Sequence, residues 1–250
     1  MVDRRDFDYG LYRKITDKDT EPIRSQFKLS VNTVLNLVKQ HNDEEIATIL
    51  SMNFFTFQKH HKDFKKARGS HVHARFGNIK QKLMQMEYIL EGQLTQKGHF
   101  SSTIYADEIL TGELFATDFY QQFNEFQLLM LIACLSYEPR ERTKFFAEFN
   151  SDFLNALDKV VKSHILMKKD KRFKHLRKLS ALVHPCYHGK SVFDILKNTN
   201  LSEGDVIRFF RQMLDKIGQI RNSTQDQGLK DILYNCQKVI VDSLEKVDNM

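Results

Sequence analysis

The chain has 250 residues, 41% apolar and 28% charged, a composition that excludes a disordered chain and suffices for a sizeable core. Its three cysteines, Cys134, Cys186 and Cys236, are too scattered for a disulfide framework, and its longest apolar run, Leu128 to Leu135, is too short to span a bilayer. The reducing, cytoplasmic setting this suggests is joined by a net charge of +6, which favours polyanionic partners without specifying a fold.

In chain order, the opening MVDRRDFDYG is charged and has no apolar core, so no secretory signal is expected there. Leu11 to Ile15 reads as a short strand. Ser30 is placed to cap a helix carrying Val31, Val34, Leu35 and Val38. Asn42-Asp43-Glu44-Glu45 starts another, with acids in its first turn. Phe54, Phe55 and Phe57 are expected to form a buried aromatic patch. Ile79, Leu83, Met86 and Leu90 recur at helical spacing, as do Ile109, Leu110 and Leu114. Leu128 to Leu135 is apolar all round and belongs at the centre of a bundle. Phe153, Leu157, Val160, Val161 and Ile165 predict a further apolar helix face.

The most informative helix runs from about Ser202 to Ile220, with Ser202 as N-cap. Val206, Ile207, Phe209, Phe210, Met213, Leu214, Ile217 and Ile220 fill one arc. Arg208, Gln212, Asp215 and Gln219 form a narrow polar stripe opposite. Such a stripe is either ordinary solvated surface or a row of hydrogen-bonding groups suited to a nucleic-acid strand.

The positive charge is concentrated in two segments. Lys59 to Lys82 holds eight Lys or Arg, among them Lys65 and Lys66, against one acid, Asp63. Lys168 to Lys178 holds seven, among them Lys171 and Arg172, against Asp170 alone. These segments are candidate phosphate contacts; the plain alternative is solvated helix faces.

Other chemistry is missing. The sequence contains no GxxxxGK[ST], no GxGxxG and no pair of Cys-x-x-Cys motifs. His71-Val72-His73 and His184-Pro185-Cys186-Tyr187-His188 do not have the spacing of a zinc site, and no metal is expected. Asp107, Glu108 and Glu113 could be read as acids for metal-assisted hydrolysis, against surface or capping carboxylates on a helix. Composition and spacing stop at a basic, mainly helical protein with affinity for polyanions.

An ordered set of segments carries the reading further. Arg4-Arg5-Asp6-Phe7-Asp8-Tyr9-Gly10 comes first, then Pro22 to Leu37, with its Ser25, Phe27, Leu29, Ser30 and Asn32. Phe54-Phe55-Thr56-Phe57-Gln58, Lys97-Gly98-His99-Phe100 and Tyr105 to Leu114 follow, then Leu135-Ser136-Tyr137-Glu138-Pro139-Arg140, Gly189 and Glu203-Gly204-Asp205-Val206-Ile207-Arg208. Together, over nearly the whole chain, they resemble the C-terminal part of superkiller-type DExH-box helicases of superfamily two, the DSHCT module, in its bacterial-type form. The match has departures. Asp6 stands for the glycine of the Arg-Arg-Gly motif, Cys186 stands for a tryptophan, and the closing motif is eroded at Val241 to Glu245. About thirty residues separate Phe57 from Tyr88, so there is no room for the arch insertion that some eukaryotic members carry.

The resemblance implies a mainly α fold in three parts: the end of a second RecA-like domain over 1–20, a winged-helix-like segment over 21–75, and a helical bundle over 76–250. It implies a part of an ATP-dependent helicase that guides single-stranded RNA or DNA past a ratchet-type helix at 203–220. The strand would meet Arg208, Arg211, Gln212 and Asp215. By motif register the family's base-contacting positions fall on Gln212 and Asp215, on the stripe drawn from periodicity alone. Arg4 matches the second arginine of the family's motif VI, which faces the γ-phosphate. The phosphate-binding loop and DExH box are not in this sequence, so ATP and Mg²⁺ belong to the parent enzyme and no cofactor is expected here. The chain is therefore expected to be a truncated helicase, a separately encoded subunit partnered by a RecA-like motor, or a remnant reused for binding. The rival is a non-enzymatic helical adaptor that binds a partner protein.

Overall fold

The computed structural model describes residues 28–60 and 71–245. Arg4, the strand expected at Leu11 to Ile15, the RecA-like remnant over 1–20, and Lys65 and Lys66 lie outside the described residues. Among the described residues the chain is mainly helical, with thirteen α-helices and one two-stranded hairpin. None of these helices is long and apolar enough to cross a membrane. The described residues fall into two compact units, one of 28–29, 41–60 and 71–78, the other of Ser30–Gln40 and 79–245.

In the first unit, α2 (Asp43–Ser51) starts where the acids placed it. Asn42 and Glu45 form a reciprocal capping box: the Asn42 side chain accepts from the Glu45 amide at 2.9 Å, and the Glu45 carboxylate accepts from the Asn42 amide at 3.2 Å. Ile46, Leu50, Val72 and Phe76 are buried. The aromatic patch is not: on α3 (Phe54–His60), Phe54 is 50% and Phe57 49% exposed. Three residues apart, they share the outer face of a two-turn helix, while Thr56 turns inward and is buried.

The second unit begins with α1 (Val31–Gln40), which Ser30 opens by accepting from the Thr33 amide at 3.1 Å. Its Val34, Leu35 and Val38 are buried, as the spacing predicts. Helix α4 (His71–Gln85) ends before Leu90, which periodicity places on the same helix. Glu87, at φ 61°, breaks the helix, and Leu90 instead pairs with Gln93 in a hairpin. Glu91 and Gly92, both at positive φ, make its two-residue turn, the arrangement whose twist matches antiparallel strands. In α5 (Gln96–Ser102), any Cβ at Gly98 would run into the Tyr88 carbonyl, so that position admits no side chain.

Helix α6 (Glu108–Phe115) leads through a 3₁₀ turn (Asp118–Gln122) to α7 (Glu125–Ser136), the central helix. Leu128 to Leu135 are all at most 4% exposed, so its all-round apolar character is met by packing on all sides. Helices α8 (Asp152–Ser163) and α9 (Ile165–Lys169) replace the single apolar face expected there. His164 ends one and caps the other, leaving Phe153 and Ile165 exposed while Leu154, Leu157 and Val161 face the core. A second 3₁₀ turn (Lys171–His175) precedes α10 (Leu176–Tyr187) and the short α11 (Val192–Leu196).

Helix α12 (Glu203–Ser223) is capped by Ser202, which accepts from the Asp205 amide at 3.2 Å. Val206, Phe209, Phe210, Met213, Ile217 and Ile220 are buried; Ile207 and Leu214 are only partly so. The closing helix α13 (Gln227–Glu245) buries Leu229, Leu233, Cys236 and Ile240. Helices α10, α12 and α13 pack around α7. Cys186, in the place of the family's tryptophan, is fully buried beside the Val239 carbonyl of α13. All three cysteines are buried and none is in a disulfide.

Candidate functional site

The polar stripe of α12 lies along a concave surface that is open to solvent. It forms one side of a groove of about 1010 Å³ whose other side is the Tyr105–Asp107 loop, the segment following α7, and Arg172. Leu135, Tyr137, Pro139 and Ile207 give it an apolar lining.

One rim is locked. Ala106 and Asp107 both adopt the left-handed conformation, at φ 60°, which costs a non-glycine residue about 1–2 kcal/mol each. Two cations hold the loop in it. The ammonium of Lys216, buried on α12, donates to the Tyr105 carbonyl at 3.1 Å and to the Ala106 carbonyl at 3.0 Å. Arg172 grips the Asp107 carboxylate with both terminal nitrogens, each at 2.7 Å. Burial lowers the Lys216 pKa, against the opposing pull of Asp107.

Arg172 has no hydrogen left over. Its Nη1 also donates to the Leu135 carbonyl at 2.8 Å, placing a cation at the C-terminal end of α7. Its Nη2 and Nε donate to Asp170 at 2.6 Å and 3.1 Å. The five N–H groups of a guanidinium are thereby all used. Burial would raise the Asp170 pKa, but the hydrogen bonds from Arg172 outweigh it and hold that carboxyl below the usual range. The bonds that Arg172 donates, to Asp170 first and then to Asp107, push its own pKa up against its burial. As a phosphate contact, the role the basic run suggested, Arg172 would have to abandon two carboxylates.

The α12 side is loosely held. Arg208 donates to Glu138 at 3.3 Å and Gln212 donates to the same carboxylate at 3.4 Å, with Arg208 and Glu138 both more than half exposed. Asp215 accepts from Gln219 at 2.7 Å, and Gln219 in turn accepts from the Tyr105 amide at 3.0 Å. Among the described residues the side chain of Arg211, also in the groove lining, makes no hydrogen bond or ion pair. The exposed contacts of Arg208 and Gln212 to Glu138 contribute about 0–1 kcal/mol and are readily exchanged for a ligand.

The sequence candidates thus divide. Arg208, Arg211, Gln212, Asp215 and Arg172 come together around one groove. Lys171 lies beside Arg172 in the chain but is not part of the lining; it is exposed. In its basic segment the two arginines are committed to carboxylates, Arg177 to Asp158 at 2.9 Å, while Lys168, Lys169, Lys171, Lys174 and Lys178 are exposed without ion pairs among the described residues. The acids of the hydrolytic alternative are dispersed. Asp107 holds Arg172, Glu108 accepts from the Asn32 amide at 3.3 Å, and Glu113 accepts from the Tyr88 hydroxyl at 3.0 Å. Among the described residues no cluster of three or more His, Cys, Asp or Glu is arranged to hold a metal ion.

Sequence reading did not assign Tyr105, Glu138 or Lys216 to the site, although Tyr105 and Glu138 stand in segments that carry the family resemblance. Lys216 left a different signal, a cation beside Ile217 on the apolar arc of α12. The sequence model of the DSHCT (NUC185) domain matches residues 91–241, a span that contains the whole groove. No curated protein shows significant similarity to the chain.

Proposed function

The chain belongs to the DSHCT (NUC185) domain family, a module found in superkiller-type helicases, and from that premise we propose that its groove holds a single strand of RNA or DNA against α12. One observation carries the reading: the Arg208–Gln212–Asp215 stripe, drawn from periodicity, lines an open groove together with an exposed tyrosine. Its amide, carboxylate and guanidinium groups can exchange their weak mutual bonds for base edges. The exposed lysines of 168–178 supply the electrostatic part of the binding.

ATP and Mg²⁺ do not fit this groove. The sequence has no GxxxxGK[ST] loop, and the groove's cations are mostly matched by Asp107, Glu138 and Asp215. In this reading nucleotide hydrolysis belongs to a RecA-like motor in the same polypeptide or on another chain. The module's part is to hold the strand while the motor moves it.

The test is a titration of labelled single strands, RNA and DNA, by fluorescence anisotropy at several salt concentrations. Binding is expected to weaken with salt, with a log–log slope of about −0.7 for each phosphate neutralised. Replacing Lys171 and Lys174 by glutamate is expected to flatten that slope. A chain that binds neither strand at low salt would refute the proposal.

A further inference from the structure

We propose that Tyr105 is a stacking platform for one base of the bound strand, an inference that rests on the strand-binding reading above. The charges of the groove are nearly balanced. Arg172 is matched by Asp107 and Asp170, and Arg208 by Glu138. Phosphates are therefore attracted weakly at this place, and affinity inside the groove has to come from base faces and edges.

Two tyrosines line the groove, and only one offers a ring face. Tyr137 is 6% exposed, with its ring packed among His175, Phe145 and Phe209. Tyr105 is 73% exposed and has no ring contact among the described residues. Its side chain is free, but its backbone is not. Gln219 holds its amide, Lys216 holds its carbonyl, and Arg172 fixes the adjoining left-handed turn through Asp107. An exposed ring on a pinned backbone loses little freedom when a base settles on it, which is what a stacking platform requires. Every base has a π-face, so the contact is expected to tolerate any sequence. Gln212, also lining the groove, is available for the base edge.

The experiment pairs a protein variant with a strand variant. An abasic position is moved stepwise along a labelled oligonucleotide, leaving every phosphate in place. The parent chain is expected to lose on the order of tenfold in affinity when the abasic position meets Tyr105. Tyr105→Ala is expected to bind the intact strand about tenfold more weakly, with the same salt slope and melting temperature, and to be indifferent to that abasic position. Tyr105→Phe is expected to behave as the parent. If the parent binds but Tyr105→Ala retains the abasic penalty, or if Tyr105→Phe is as weak as Tyr105→Ala, the stacking role is overturned while strand binding stands. If the parent does not bind single strands, the reading beneath it fails and the platform with it.

Discussion

On one wall of the groove Arg172 is held by two carboxylates and a helix carbonyl, with every donor used. On the other, Arg208 makes one long contact to an exposed glutamate and Arg211 makes none among the described residues. The residue type is the same and the neighbourhood is shared, yet one arginine shapes the site and the others are free to meet a ligand. The difference lies in burial and partner count. Arg172 is one-fifth exposed and faces both Asp107 and Asp170, so releasing it would strand two charges. Arg208 is more than half exposed, and water replaces its partner at little cost.

The comparison breaks most sharply at the two arginines themselves. Arg172→Ala is expected to lower stability by about 2–4 kcal/mol, because it leaves two carboxylates facing each other and frees a strained turn. Arg172→Lys should recover little of this, since an ammonium cannot span both carboxylates and a carbonyl as the planar fork does. Arg211→Ala should stay within about 0.5 kcal/mol of the parent. Urea denaturation of the three variants measures the contrast, and equal losses at positions 172 and 211 would dissolve it.

A smaller effect is expected from acid. Asp170 has its pKa held down in the folded chain, so it contributes stability that is complete at neutral pH. That contribution is lost as pH falls below the ordinary carboxylate value of about 4 and through the lowered one. Asp158 behaves likewise: burial opposes ionisation, but Lys162 and Arg177 outweigh it. Denaturation midpoints between about pH 6 and pH 3 should therefore fall more steeply in the parent than in Arg172→Ala. The slope that remains in the variant should include the share of Asp158.

The smallest change in stability is expected on the open wall. Gln212→Ala combined with Asp215→Ala should change the stability by no more than about 0.5 kcal/mol. It should weaken strand binding without altering the salt slope, because neither side chain neutralises a phosphate. A double variant that binds as the parent does would make the stripe a solvated surface.

Much of the fold was legible before any coordinates. An unbroken apolar run marked α7 as the central helix. The Ser202 cap and the two-faced periodicity marked α12, and the polar stripe indicated which side of it to watch. The closing helix α13 was not among the predicted elements, although its buried Leu229, Leu233, Cys236 and Ile240 recur at helical spacing. Such features are local: side-chain spacing along a helix selects a face, and capping chemistry selects an end.

What stayed hidden depends on distance along the chain. Arg172 lies 65 residues from Asp107, and Lys216 lies 111 from Tyr105, so no window of sequence contains either pair. A basic run therefore reads the same whether its arginines are spent or available. Phe54, Phe57, Phe153 and Ile165 were expected inside and lie exposed, because an apolar residue is buried only where a neighbouring element arrives to cover it. Tyr105 shows the same limit from the other side. The chemistry of an aromatic ring is written in one letter, but its use as an open face on a pinned backbone arises only when α12, the Arg172 turn and the Asp107 loop are folded around one groove.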